Sequence, residues 1–168
     1  MNLGFKDQFV PMVEDGSKRH SIRAGFRWKE GMRADLYARP RQKGMRLLFR
    51  AMVVKVEQIE IEYTGTLVAP NTRLGAMIGG WSASDFTTIT IEGVRLVADE
   101  LDSFAWRDGF RPHPSEPTLT TDAFRDMVEF WYRMHGFGRK IRHFHGQVIH
   151  WDYERRFTKK LKNWSIAA

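Results

Sequence analysis

Leu47 through Ile61 is the feature that most restricts this fold. Leu47, Phe49, Val53, Val54, Val56, Ile59 and Ile61 carry its β signal, and no glycine or proline interrupts them. Such a stretch reads as a strand, the strongest β signal in the chain. Fifteen residues exceed the usual strand length of about 5–6, so a bend or bulge is expected within it.

The remaining elements are arranged around that strand. Leu3 to Phe5 can open a short strand. Phe9 to Gly16 reads as a short helix with Pro11 in its first turn and Gly16 as its stop. His20-Ser21-Ile22-Arg23 alternates as a strand does, putting Ser21 and Arg23 on one face and Ile22 on the other. Ala34 to Ala38 is another strand, and Pro40 to Gly44 a basic loop. Thr87–Ile91 and Val94–Val97 flank Glu92-Gly93, a hairpin signature. Asp99 to Asp108 is expected to be helical, with Leu101, Phe104 and Ala105 on one side and Gly109 as the stop. Arg111 to Pro117 holds three prolines and reads as loop. Thr121 to His135 is an amphipathic helix with the stripe Phe124, Met127, Val128, Trp131 and Met134, capped by Thr120 or Thr121 and ended by Gly136. Phe144 to Trp151 is the closing strand.

Antiparallel strands, a few helices and a last strand that returns to the sheet make an α+β domain around a partly closed antiparallel barrel. At 168 residues the chain fits one domain. It is expected to cover 1–154, with an inserted loop or hairpin near 63–85 and a basic tail at 155–168.

Composition narrows the function. With no cysteine there is no disulfide framework, no thiolate zinc site and no cysteine nucleophile. The charged N-terminus does not read as a signal peptide, and no apolar run spans a membrane. The expected setting is soluble and cytoplasmic. Charge is unevenly spread. Residues 18–55 hold 12 Lys/Arg against Glu30 and Asp35, residues 56–132 hold 5 against 13 Asp/Glu, and residues 133–168 hold 9 against 2. Two basic blocks around an acidic one point to a basic face for a polyanion, most simply nucleic acid. Arginine dominates the first block, which suits bidentate phosphate contact. The candidate contacts are Lys18, Arg19, Arg23, Arg27, Arg39, Arg41 and Lys43, with Trp28 placed to stack on a base. His143-Phe144-His145 sets two imidazoles on one strand face, but Asp152 lies seven residues on and no third ligand is near in sequence. No metal or other cofactor is expected.

Gly16-Ser17-Lys18-Arg19-His20-Ser21-Ile22-Arg23 resembles the opening of the ASCH-domain family, where a short helix ends in Gly-x-Lys-x-x-Thr-Ile-Arg. Gly31 to Ala38 resembles the family's next strand. Ala105-Trp106-Arg107-Asp108-Gly109-Phe110 resembles a helix end that often reads Ala-x-x-Glu-Gly-Phe. Phe130-Trp131, His135-Gly136 and Gly146 to Trp151 resemble the ending of many phage and bacterial members. The likeness covers most of the chain outside 63–85, and the order of the motifs carries it.

The resemblance implies a PUA-like β-barrel, whose relatives bind RNA and modified bases. Some small bacterial ASCH proteins are amidohydrolases that release acetate from N(4)-acetylcytidine with a lysine, a threonine and a glutamate; another relative is described as a ribonuclease. Those three positions fall on Lys18, Ser21 and Asp108 here. Serine retains the nucleophilic hydroxyl, whereas aspartate shortens the acid's reach, and about 1 Å of misplacement can cost about 100-fold in rate. In such chemistry Lys18 is the base, Ser21 attacks an acyl carbon, and Asp108 protonates the departing nitrogen. The lysine must be neutral for this, and Arg19 and Arg23 are the nearby cations that favour the neutral form. The expected partner is RNA, single-stranded nucleic acid or a modified nucleoside.

Overall fold

The structure is a computed structural model that describes residues 1–65, 83–111, 122–136 and 140–153. Most of the expected insertion, the proline-rich segment and the basic tail lie outside the described residues. The elements run β1 (Asn2–Phe5), a 3-10 turn (Asp7–Phe9), α1 (Val10–Glu14), β2 (His20–Ala24), β3 (Arg33–Ala38), β4 (Arg46–Tyr63), a 3-10 turn (Ala83–Phe86), β5 (Thr87–Ile91), β6 (Val94–Arg95), α2 (Ala98–Arg107), α3 (Ala123–His135) and β7 (His143–Tyr153). This is an α+β chain.

Hydrogen bonding orders the strands β1-β3-β4-β5-β6, with β7 pairing both β4 and β2. Among the described residues that path does not return on itself. One expectation is corrected here: β1 runs parallel to β3, Leu3 opposite Leu36, so the sheet is mixed rather than wholly antiparallel. The intervening helix makes this feasible, since a parallel pair needs a crossover rather than a tight turn.

The chain divides into two compact units. The first takes residues 1–21, 27–56 and the described residues from Val148 on; the second takes 22–26 and 57–147. β4 serves both, which accounts for its 18 residues. In the first unit Ala51 and Val53 are buried, and in the second Ile59, Ile61 and Tyr63. Lys55 between them is exposed, as is Val54, so the burial alternation lapses where one core ends and the other begins. A bulge is also present: pairing passes from Leu36↔Phe49 to Tyr37↔Leu47, leaving Leu48 as an extra residue on β4.

The first core is built from Leu3, Phe5, Val13, Leu36, Ile149 and Trp151, with the Phe5 and Trp151 rings edge to face at 5.7 Å. In the second unit Ile59, Ile61, Ile89, Phe104, Met127, Val128 and Trp131 are buried, and α2 and α3 are in mutual contact. Met134, expected on the α3 stripe, is 48% exposed, and buried Tyr132 is found instead. The cap of α3 is Asp122, one residue beyond the expected threonines: its carboxylate accepts from the Arg125 N–H at 2.8 Å. Asp102 of α2 accepts from the Phe124 N–H at 2.9 Å, so two of the unpaired donors at that helix start are satisfied. Gly136 ends the helix at φ 69°. The expected hairpin is present, with φ of 50° at Glu92 and 78° at Gly93, the signs a two-residue type I′ turn requires.

Candidate functional site

The turn after α1 determines where the Lys18–Arg23 run goes. Gly16 takes φ 77°, a left-handed conformation costly for any residue with a Cβ. Asp15 Oδ1 then accepts from the Ser17 N–H at 2.8 Å, and the Lys18 N–H donates back to the Met12 carbonyl at 2.8 Å. The chain is turned so that Lys18 enters the first unit instead of solvent. It is 2% exposed, and its Nζ stands over the Phe9 ring, 5.0 Å from the centroid. Lysine is almost never buried unless its charge is compensated, and a desolvated aromatic face supplies part of that compensation.

β2 and β7 then set the register. The Trp151 N–H donates to the Arg19 carbonyl at 3.0 Å, and the Gly25 N–H to the His145 carbonyl at 3.4 Å. Both ends give one antiparallel alignment, with Ser21 opposite Ile149 and Arg23 opposite Gln147. His20 therefore faces His150, and their ring centroids are 5.3 Å apart. Ser21 and His20 are each 4% exposed. The polar run is thus mostly interior, not a solvated edge. Arg19 is its outward member, with Nε donating to the Gly16 carbonyl at 3.0 Å and Nη1 lying 3.7 Å from Asp152.

In the second unit, Arg23 is half-buried and its Nη1 donates to the Ile22 carbonyl at 2.9 Å. Burial pushes its pKa down, and the negative charge of Asp108 pulls it partly back. Asp108 is 6% exposed at the C-terminal cap of α2, its N–H donating to the Phe104 carbonyl at 3.0 Å. Gly109 follows at φ 95°, which ends the helix there. Gln147, opposite Arg23, is also buried. The buried polar residues among those described are Lys18, His20, Ser21, Thr87, Asp108 and Gln147. All three residues expected to be catalytic are in that set. Lys18 and Ser21 belong to the first unit and Asp108 to the second.

The remaining expected contacts separate into occupied and open groups. Arg39 is occupied: its Nε and Nη2 reach both oxygens of Asp7 at 2.8 to 3.0 Å. That fork anchors a loop. Positive φ at Arg39, Arg41 and Gly44, with turns closed by Gln42 N–H to Arg39 O and Met45 N–H to Gln42 O, holds Arg41 and Lys43 exposed. Arg27 and Lys29 are exposed on either side of Trp28. Among the described residues, none of these four cations makes an ion pair, whereas Arg46 meets Glu14 at 2.7 Å and Arg50 meets Asp35 at 3.3 Å.

The stacking expectation for Trp28 is corrected. Its ring is 7% exposed and belongs to the core, so it has no open face for a base. The exposed aromatic of this stretch is Phe26, at 59%. Sequence reasoning missed Phe26, His150 and Gln147. The β2–β7 register places the last two opposite His20 and Arg23, which their segment alone does not reveal.

No protein-family model, curated protein or solved structure matches this chain. The likeness to ASCH domains rests on the quoted motifs alone. Among the described residues, no helix is long and apolar enough to cross a membrane.

Proposed function

We propose that this chain is an RNA- or nucleotide-binding domain of the ASCH type, PUA-like in its barrel ancestry, that holds phosphates with loop cations of its first unit. The supporting observation is the sorting of cations just described. Those on β3-paired β4 have acidic partners, while Arg27, Lys29, Arg41 and Lys43 on two hydrogen-bonded loops do not. Cations that stabilise the fold itself are expected to be paired; cations kept extended and unpaired on rigid loops suit an external anion. Phe26 adds an exposed ring beside Arg27 in the chain.

Four phosphate contacts on a single strand imply a log–log salt slope of about −2.8, hence roughly a 50-fold loss of affinity between 50 and 200 mM salt. Fluorescence anisotropy with a labelled single-stranded RNA measures it. Changing Arg41 and Lys43 to glutamine halves the expected slope and leaves about a 7-fold loss over the same range. Affinity that stays flat with salt, in both proteins, ends the polyanion reading.

A second reading is supported by the burial of Lys18 and Ser21: an amidohydrolase on an acylated pyrimidine nucleoside, or a ribonuclease. In the amidohydrolase, Ser21 Oγ attacks the acyl carbon and gives its proton to neutral Lys18. The C–N bond then breaks as the leaving nitrogen takes that proton from Lys18, and water releases acetate from the serine. Incubation with N(4)-acetylcytidine should yield cytidine and acetate, and Ser21→Ala should abolish both. Turnover that persists in Ser21→Ala removes this mechanism.

A further inference from the structure

The sequence offers two histidines on one strand face and no third ligand. The strand register supplies the missing donors. β7 pairs with β4, and the Tyr63 N–H donates to the Arg142 carbonyl at 2.8 Å. Following that alignment, Glu62 stands opposite His143 and Glu60 opposite His145. The contacts agree: His143 Nδ1 lies 3.8 Å from Glu62 Oε1, and His145 Nδ1 lies 3.7 Å from Glu60 Oε1. Because Tyr63 and Arg142 are a hydrogen-bonded pair, the two His–Glu rungs occupy the close-spaced positions, about 4.5 Å apart at Cα. Successive rungs are two residues apart, about 7 Å along the strands. All four residues belong to the second unit.

We propose that this square of two imidazoles and two carboxylates binds a divalent first-row transition ion of the zinc type. Nitrogen and carboxylate oxygen are the donors such an ion takes in the absence of cysteine, and four of them satisfy its preferred coordination number. The arrangement also has an electrostatic reason to take a dication. Glu60 and Glu62 share one face and repel each other, and on the other side of β4 their register partners are the uncharged Thr90 and Thr88. The backbone beneath is fixed, since Ile59, Ile61 and Tyr63 alternate with the two glutamates and are buried. The donors themselves are 50 to 65% exposed and can turn about their side-chain torsions. As they stand, no group of three converges on one point among the described residues. Binding therefore draws the two rungs together by side-chain rotation over a fixed pair of strands.

The test uses the full chain. Isothermal titration with ZnCl2 should show one saturable site, and Co2+ should give the intense visible bands of four-coordinate cobalt with bound nitrogen. The double change His143→Ala and His145→Ala should weaken binding at least 100-fold, and Glu60→Gln with Glu62→Gln at least 10-fold. Changing His150→Ala, which alters the other imidazole pair, should leave the site intact. Single His143→Asn and His145→Asn variants provide the same comparison should the double variant fold poorly. The proposal is overturned by absence of saturable uptake, or by uptake that survives the His143 and His145 changes and is lost with His150→Ala.

Discussion

Gly146→Ala is the substitution whose effect can be worked out most directly. Gly146 precedes Gln147 on β7, and a Cβ placed there would collide with the Arg23 backbone carbonyl oxygen and come 2.8 Å from two ring carbons of Phe144. Gly146 is not one of the left-handed glycines, so the cost is steric and not conformational. A ring can swing aside, but a carbonyl in a strand ladder moves only if the strand moves. Overpacking of this kind costs about 1–3 kcal/mol. Prising β2 from β7 near Arg23 adds one ladder hydrogen bond, about 0.5–1.5 kcal/mol. The sum is on the order of 3 kcal/mol, which for a chain of this size lowers the melting temperature by about 6–12 °C. Thermal and urea unfolding followed by far-ultraviolet circular dichroism measure it, with the urea slope showing whether the native state has loosened. A variant melting within about 2 °C of the parent, with an unchanged slope, would refute the close approach of the two strands and with it the placement of Arg23 opposite Gln147.

Two further outcomes follow from local geometry. Hydrogen bonds from Arg39, helped by its charge, hold the Asp7 carboxyl below its ordinary pKa of 3.8. A depressed folded-state pKa means the contact stabilises above that ordinary value and is lost as pH falls through the folded one. Asp7→Asn should therefore lower the melting temperature at pH 7, with a deficit that shrinks as pH falls below 3.8, and a deficit independent of pH would assign Asp7 another role. Asp122→Ala removes the carboxylate that caps α3 and should cost about 1 kcal/mol, or about 2–4 °C in melting temperature; no change would mean that Asp102 alone suffices to cap the helix.

The elements of this chain are legible because their signals are local. Gly16, Gly109 and Gly136 end helices by taking positive φ, and Glu92-Gly93 turns a hairpin, each through the backbone of one or two residues. Alternation at Ile59, Ile61 and Tyr63 marks a buried strand face wherever that face goes. Errors fall where burial depends on distant residues. Trp28 lies in a basic, turn-rich stretch that suggests exposure, yet its ring is taken into the core. Met134 fits the helical period but lies past the end of what α3 buries.

Residue types, their spacing and the uneven distribution of charge were settled by the sequence alone, as were the strong β character of Leu47 to Ile61 and the polar run at Lys18 to Arg23. Tertiary structure decided which polar groups leave water. Lys18 is interior because the turn at Gly16 directs it over Phe9, and His20 meets His150 because β2 and β7 pair in one register. The same applies to His143 and His145, which acquire Glu62 and Glu60 from a strand some eighty residues earlier. The physical reason is common to the two histidine cases. A strand's side-chain period identifies which residues share a face, but the residues across from it depend on hydrogen bonds to a segment far along the chain.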